Sequence, residues 1–220
     1  MDKAIASADE AVADLEDGAR LLIGGFGDLG VPFELLDALV RRGLRDLTIT
    51  NNNCGTGERG VAALFKHHMV RRVYSSFPAQ KGNHHFRAAY DAGEVEVHVI
   101  PQGTLAERIR AAGAGLGGFL TPTGVGTAVA EGKQLHEVEG RQYLLEYPLR
   151  ADVALLKAHQ ADPYGNLRYR LASRNFNPLM AMAAKLTIAQ VSLILPVGGI
   201  DPDDVHTPGI FVDRVVQVSA

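Results

Sequence analysis

The chain has no tryptophan and only one cysteine, Cys54. A lone thiol excludes an internal disulfide and a cysteine-built metal site, and it suits a reducing compartment such as the cytoplasm. No apolar run approaches the roughly 20 residues that span a bilayer as a helix. The opening stretch MDKAIASADEAVADLEDG is acidic and lacks an apolar core, so neither a secretory signal nor a membrane anchor is expected. Lys and Arg form no block. Twenty-two of them are scattered among 25 Asp and Glu for a net charge of −3, which argues against nucleic acid as the main partner. Several catalytic signatures are also missing. There is no G-x-S-x-G elbow, no His-x-x-Glu-His and no Lys-Ser/Thr after a glycine loop. Nothing rich enough in Pro, Ser or charge divides the 220 residues, and no repeat is visible, so a single domain over 1–220 is expected.

What the sequence has is glycine, 24 residues of it, and 46% hydrophobic residues to build a core. The most informative stretch is LLIGGFGDLGVPFELLDALVRRG, residues 21–43. Leu21 to Ile23 is an unbroken apolar run, as expected of a parallel strand buried on both faces. Gly24, Gly25, Phe26, Gly27, Asp28, Leu29 and Gly30 form a loop whose glycines predict positive φ or close approach of other atoms. Pro32 suits the first helical position, Leu35, Leu36, Leu39 and Val40 give one apolar face, and Gly43 suits the stop. The helix start would aim free N–H groups over the loop, where an anion is the usual guest. The loop is not a full G-x-G-x-x-G, and Asn51 stands where a ribose-binding acid would be.

The remaining chain alternates strands and helices. A helix is expected over Ala4–Leu15, strands over Leu47–Thr50, Val70–Ser75 and Val95–Ile100, and helices over Val61–His67 and His84–Ala92. Thr104-x-x-Glu107 has capping-box spacing for the helix that follows Gln102. Phe119–Thr127 reads as a second glycine-rich loop, and Gln142–Leu149 as partly β. Strands are expected at Asp152–Lys157, Leu167–Arg170, Gln190–Pro196 and Phe211–Val218, with a turn at Asp162–Asn166. A helix is expected over Pro178–Lys185, capped by Ser173 or Asn177. This pattern predicts an α/β fold with a mainly parallel sheet flanked by helices.

Ligands of open parallel sheets lie beyond the carboxyl ends of the strands. Three such ends carry candidate groups: the Gly24–Gly30 loop, the run Asn51, Asn52, Asn53, and Gln102. Neutral amides are the donors a developing oxyanion needs. They are also ordinary turn and loop residues, and the residues alone leave both readings open. No metal site is expected. His67-His68 and His84-His85 are adjacent pairs, and neighbours on a helix diverge, so they would not easily share an ion. Cys54 follows the Asn run but has no evident base to activate it. A non-catalytic nucleotide- or CoA-binding module, or a purely structural partner, would fit the glycine loop as well.

Five motifs in order carry a resemblance: GGFGDLGVP, NNN at 51–53, IPQGTLAERIRAAGAG at 100–115, FLTPTGVGT at 119–127 and SRNFNP at 173–178. Together they resemble the α subunit of family I 3-oxoacid CoA-transferases, a fold of the NagB/RpiA/CoA-transferase type. KAHQADPYGNLRYR, RNFNPLMAMAAK and TPGIFVDRVV are most similar to the members that use 3-oxoadipate. Relatives using acetoacetate with succinyl-CoA share most of the pattern. The resemblance implies transfer of CoA from succinyl-CoA to a 3-oxoacid through a glutamyl-CoA thioester, with coenzyme A as substrate and no prosthetic group. It also implies a hetero-oligomer in which a separate β subunit supplies the glutamate, in a Ser-Glu-Asn-Gly context that this chain lacks. Gln102 would be an oxyanion donor, Asn51 to Asn53 would line the acyl site, and Gly24 to Gly30 would contact CoA. Asp28 departs from the pattern and would repel a phosphate facing it.

Overall fold

A computed structural model describes residues 2–218. Its elements are β1 (Ala4–Ile5), α1 (Ala8–Ala11), β2 (Arg20–Ile23), α2 (Phe33–Arg42), β3 (Leu47–Thr50), α3 (Val61–Lys66), β4 (Val70–Ser75), α4 (His84–Asp91), β5 (Glu96–Val99), α5 (Gln102–Gly113), β6 (Phe119–Thr121), β7 (Leu135–Val138), β8 (Arg141–Glu146), β9 (Ala151–Ala161), β10 (Leu167–Arg168), α6 (Asn177–Ala183), β11 (Ala184–Ile194) and β12 (Arg214–Gln217). The main sheet runs β1-β12-β11-β9-β2-β3-β4-β5, with every neighbouring pair parallel and β10 added antiparallel to β9. The chain lays β2 to β5 outward in one direction, then returns to place β9 on the other side of β2. The strand order therefore reverses between β2 and β9, the place where open α/β sheets hold ligands at their carboxyl edge.

The apolar run of β2 divides as a doubly covered strand should. Leu21 and Ile23 enter one core with Leu35, Leu36 and Leu39 of α2 and Leu64 and Phe65 of α3. Leu22 enters the other, with Leu105 and Ile109 of α5 and Met180 of α6. Each fully buried Leu or Ile contributes about 2 kcal/mol of transfer free energy, so β2 is fixed from both faces at once. α2 ends at Gly43 with φ 67°, where its N–H closes on Leu39 and Val40. Pro32 is the residue before that helix rather than its first.

Other sequence expectations need correction. Ala4–Leu15 is not one helix. Ala4 and Ile5 pair in parallel with Val215 and Val216, and Ser7 starts a four-residue helix by accepting from the Glu10 N–H at 3.1 Å. The open edge of β12 outcompetes the helical periodicity. Phe119–Thr127 begins with a strand, β6, in a second antiparallel sheet ordered β6-β8-β7. Its partner lies more than 20 residues away, beyond the reach of local pattern. The helix expected to reach Lys185 stops at Ala183, because Ala184 and Lys185 already belong to the long strand β11. Neither Ser173 nor Asn177 caps it: Phe176 precedes it, without a side-chain cap. The last strand starts at Arg214, since Gly209–Phe211 is a 3₁₀ turn. Asp162 does make the expected turn, accepting from the Tyr164 and Asn166 N–H groups at 3.0 Å each.

Candidate active site

The carboxyl ends of β2, β3, β4 and β5 deliver the Gly24–Gly30 loop, Asn51–Asn53, Ser76–Phe77 and Gln102 to one edge of the sheet. In the loop, Phe26 and Leu29 exchange backbone hydrogen bonds at 3.0 and 3.2 Å, so Gly27 and Asp28 form a hairpin tip. Gly27 has φ 59° at the first central position, where a hairpin turn of this kind calls for glycine. The other glycines answer to the protein itself. A Cβ on Gly24 would stand 2.0 Å from Asn177 Oδ1, and one on Gly30 2.5 Å from the Ser173 carbonyl. Asn175 accepts from the Gly25 N–H at 3.2 Å and donates to the Leu29 carbonyl at 2.9 Å. Asn177 donates to the Gly30 carbonyl at 3.3 Å. SRNFNP, distant in sequence, is thus the underside of the glycine loop. Phe26, Asp28 and Leu29 are at its tip, the two apolar side chains exposed, while Gly24, Gly25 and Gly30 are buried.

The Asn run divides by function. Asn51 is fully buried, and its Nδ2 donates to the Ile23 carbonyl at 2.6 Å and the Gly24 carbonyl at 3.3 Å. Its Oδ1 accepts from the Asn53 N–H at 3.0 Å. It ties the ends of β2 and β3 together and is absent from the cleft wall. Asn52 Oδ1 accepts from Gln102 Nε2 at 2.8 Å and from Ser76 Oγ at 2.7 Å. Its carbonyl is held by Ser75 Oγ at 2.8 Å and the Phe77 N–H at 2.9 Å. Asn53 Oδ1 is buried with no partner among the described residues, an acceptor left for something else.

These groups line a cleft of about 420 Å³ walled by Phe26, Gly27, Asn52, Asn53, Ser76, Phe77, Gln80 and Gln102. Among the described residues, no carboxylate, thiol or imidazole stands in that wall. A recess of about 440 Å³ lined by Asp46, His68, Arg71 and Glu94 sits at the opposite, amino ends of β3 to β5, away from the loops that carry the amides. The helix α5 begins at Gln102, after Pro101, and not at Thr104. The Thr104-x-x-Glu107 spacing is not a capping box: Thr104 is buried in the first turn and Glu107 pairs with Arg110. As a consequence the positive end of a 12-residue helix is at the cleft, whereas the sequence points to α2 for such a donor array. Ser76, Phe77 and Gln80 carry no signal in the sequence, because they fall between the strand expected over Val70–Ser75 and the helix expected over His84–Ala92 and belong to no motif.

Two other sequence candidates are closed off. The N-terminal N–H groups of α2 do not await an anion. Gln190 Oε1 accepts from Glu34 and Leu35 at 3.1 Å each, and the Phe33 and Leu36 N–H groups bond to Val31 and Pro32. Cys54 is fully buried, and desolvation pushes its thiol up to about 12 despite a hydrogen bond with Ser75, so it is not a thiolate nucleophile at neutral pH.

Comparison with known proteins places the chain in a family. The sequence profile described as Coenzyme A transferase matches residues 5–218. The chain is 53% identical over 219 residues to the A subunit of 3-oxoadipate CoA-transferase from Pseudomonas putida, covering 100% of this chain and 95% of that one. It is 43% identical over 217 residues to the A subunit of succinyl-CoA:3-ketoacid coenzyme A transferase from Helicobacter pylori, covering 99% and 93%. Among solved structures, glutaconate coenzyme A-transferase from Acidaminococcus fermentans superposes with a TM-score of 0.88 at 22% identity, over 99% of this chain and 76% of that one, a likeness of fold.

Proposed function

The chain belongs to the coenzyme A transferase family, and from that membership we propose that it is the α subunit of a cytoplasmic two-subunit enzyme moving CoA from succinyl-CoA to 3-oxoadipate. The identity of 53% to a relative that carries the 3-oxoadipate name supports that acceptor over acetoacetate. CoA enters as a substrate thioester and no prosthetic group takes part. The observation that carries the reading is the cleft itself. Its wall offers oriented neutral amides and a helix N-terminus but no carboxylate.

The chemistry needs a nucleophile that the cleft wall does not hold. A glutamate of the β subunit, brought to the cleft, attacks the succinyl thioester carbonyl, and the electron pair moves onto oxygen. Collapse expels CoA thiolate and leaves an acyl anhydride. The thiolate then attacks the glutamyl carbonyl, releases succinate and forms a glutamyl-CoA thioester, which the 3-oxoacid carboxylate reopens by the reverse steps. Each tetrahedral stage puts negative charge on one oxygen. The Gln102 amide, held by Asn52, donates to that oxygen, and the amino end of α5 adds its positive field. Asn52 and Asn53 line the acyl group, while Asn51 holds their backbone in register. Of the Gly24–Gly30 loop, the tip from Phe26 to Leu29 is the part accessible to CoA.

The experiment is reconstitution. The purified chain on its own should transfer no CoA, and addition of the β subunit should restore transfer to 3-oxoadipate in preference to acetoacetate. Turnover by the lone chain would refute the division of labour, and a preference for acetoacetate would reassign the acceptor.

A further inference from the structure

Beside the cleft, but outside its wall, three side chains converge in a way the established family chemistry does not use. Glu58 is in the loop between Asn53 and α3, and His84 and His85 are the first two residues of α4. Nε2 of His84 and Nε2 of His85 stand 3.1 and 3.0 Å from the same Glu58 oxygen, Oε1. The three donor atoms all lie within 4.8 Å of one another. The expectation that adjacent histidines diverge on a helix does not hold at this helix end, where both rings reach one carboxylate oxygen. Helical side chains lean toward the helix amino end. At the first two positions both rings therefore swing over that end, where the Glu58 loop lies, with centroids 4.1 Å apart and planes tilted 48°.

Lys66 Nζ is 2.7 Å from the other oxygen of Glu58 and already neutralises the carboxylate. In the Nε2–H tautomer each neutral ring donates to Oε1, and in the Nδ1–H tautomer its Nε2 lone pair is available to a cation placed between the rings and the carboxylate. Two imidazole nitrogens and one carboxylate oxygen are a donor set for Zn²⁺. With bonds of roughly 2.0–2.2 Å, tetrahedral donors sit roughly 3.3–3.5 Å apart, close to the separations from each ring nitrogen to Oε1.

We propose that Glu58, His84 and His85 form a site for a borderline transition-metal dication, Zn²⁺ in the first instance, with water as the fourth ligand. The ion would staple two segments that meet at the cleft rim. The Gly57 N–H already donates to the Gly82 carbonyl at 3.2 Å, one residue before Glu58 and two before His84. The Gly82 segment also carries Phe77 and Gln80, which wall the cleft. Lys66 competes with the ion for the carboxylate.

The test uses the full chain in complex with the β subunit, free of an oligohistidine tag and stripped with chelator. Calorimetric titration with Zn²⁺ should give one ion per chain with micromolar or tighter affinity, and Co²⁺ should give the intense visible absorption of a tetrahedral site. His84→Ala, His85→Ala and Glu58→Gln should each weaken binding at least about tenfold. The double variant His67→Ala/His68→Ala should leave it unchanged, and Lys66→Gln should tighten it. Circular dichroism of the metal-free variants separates lost ligands from lost fold. Affinity no better than millimolar, or equal binding by all three ligand variants once they are shown to be folded, would overturn the proposal.

Discussion

Gln102 Nε2 lies 2.8 Å from Asn52 Oδ1, joining the end of β3 to the start of α5 across 50 positions of sequence. That same oxygen also accepts from Ser76 Oγ at 2.7 Å. Three consecutive loops of the sheet are therefore locked through one atom, and the Gln102 amide is oriented before any substrate arrives. Preorganised donors are worth more than donors that must reorient during reaction.

Gln102→Ala should lower kcat by roughly 10²–10³ with the complex intact, as removal of an oxyanion donor does. Ser76→Ala should act through Asn52 and Gln102, and so more weakly. Loss of one orienting hydrogen bond of about 1 kcal/mol corresponds to roughly fivefold in kcat, with KM little changed. Steady-state kinetics on the reconstituted enzyme decides both. A Gln102→Ala effect below about threefold removes that amide from the reaction, being far short of what loss of an oxyanion donor costs.

Cys54 should be inert. Its burial and raised thiol titration leave no thiolate at neutral pH. Iodoacetamide should label the native chain far more slowly than the denatured one, and Cys54→Ala should retain most activity. Rapid inactivation by native-state alkylation at Cys54 would contradict the buried position.

Asp152 gives the fold a predictable acid sensitivity. Its carboxyl accepts from Arg20 Nε at 3.0 Å and the Arg20 N–H at 3.1 Å, with Lys185 Nζ at 3.1 Å, across β2, β9 and β11. Arg20 above all, and then Lys185, hold it well below the ordinary carboxylate range against the opposing cost of burial. A depressed folded-state titration stabilises above the unfolded value of about 3.9 and is lost as pH falls toward the folded one. With the side chain one-third exposed, the contribution is about 1 kcal/mol after solvent screening. Asp152→Asn should cost that much at pH 7 in urea unfolding, and the difference should shrink steadily below about pH 4.

Much of the fold was legible because β2 is a short apolar run, β3 and β4 are short stretches rich in β-branched residues, and the helices α2 and α3 fall between them, and local pattern identifies such units. The small sheet was not, because Leu135–Val138 is exposed throughout and β6 pairs only with a distant strand. The site was legible as a set of residue types at strand ends, but not as roles. Asn51, Asn52 and Asn53 are identical letters. Only the ladder register decides that Asn51 faces the Ile23 and Gly24 carbonyls while Asn52 reaches Gln102. The glycine loop is similar: its glycines predict positive φ or close approach of other atoms, but not whose atoms, and those nearest to Gly24 and Gly30 come from residues 173–177 of the same chain.

That internal contact yields a cycle of variants. Gly24→Ala places a methyl 2.0 Å from Asn177 Oδ1, in a segment buried on both sides. Gly24 is not in the left-handed region, so the cost is steric and not conformational, about 3 kcal/mol at the upper end of overpacking. Asn177→Ala alone removes partners from the Lys157 N–H and the Gly30 carbonyl, about 1–3 kcal/mol for orphaned buried groups. In the double variant the new methyl at position 24 occupies space the amide has vacated, so the clash disappears while the orphaned groups remain. The double variant should therefore be no less stable than Asn177→Ala by more than about 0.5 kcal/mol, a large departure from additivity. Additive losses in denaturant unfolding would mean that the loop is held by something other than Asn177.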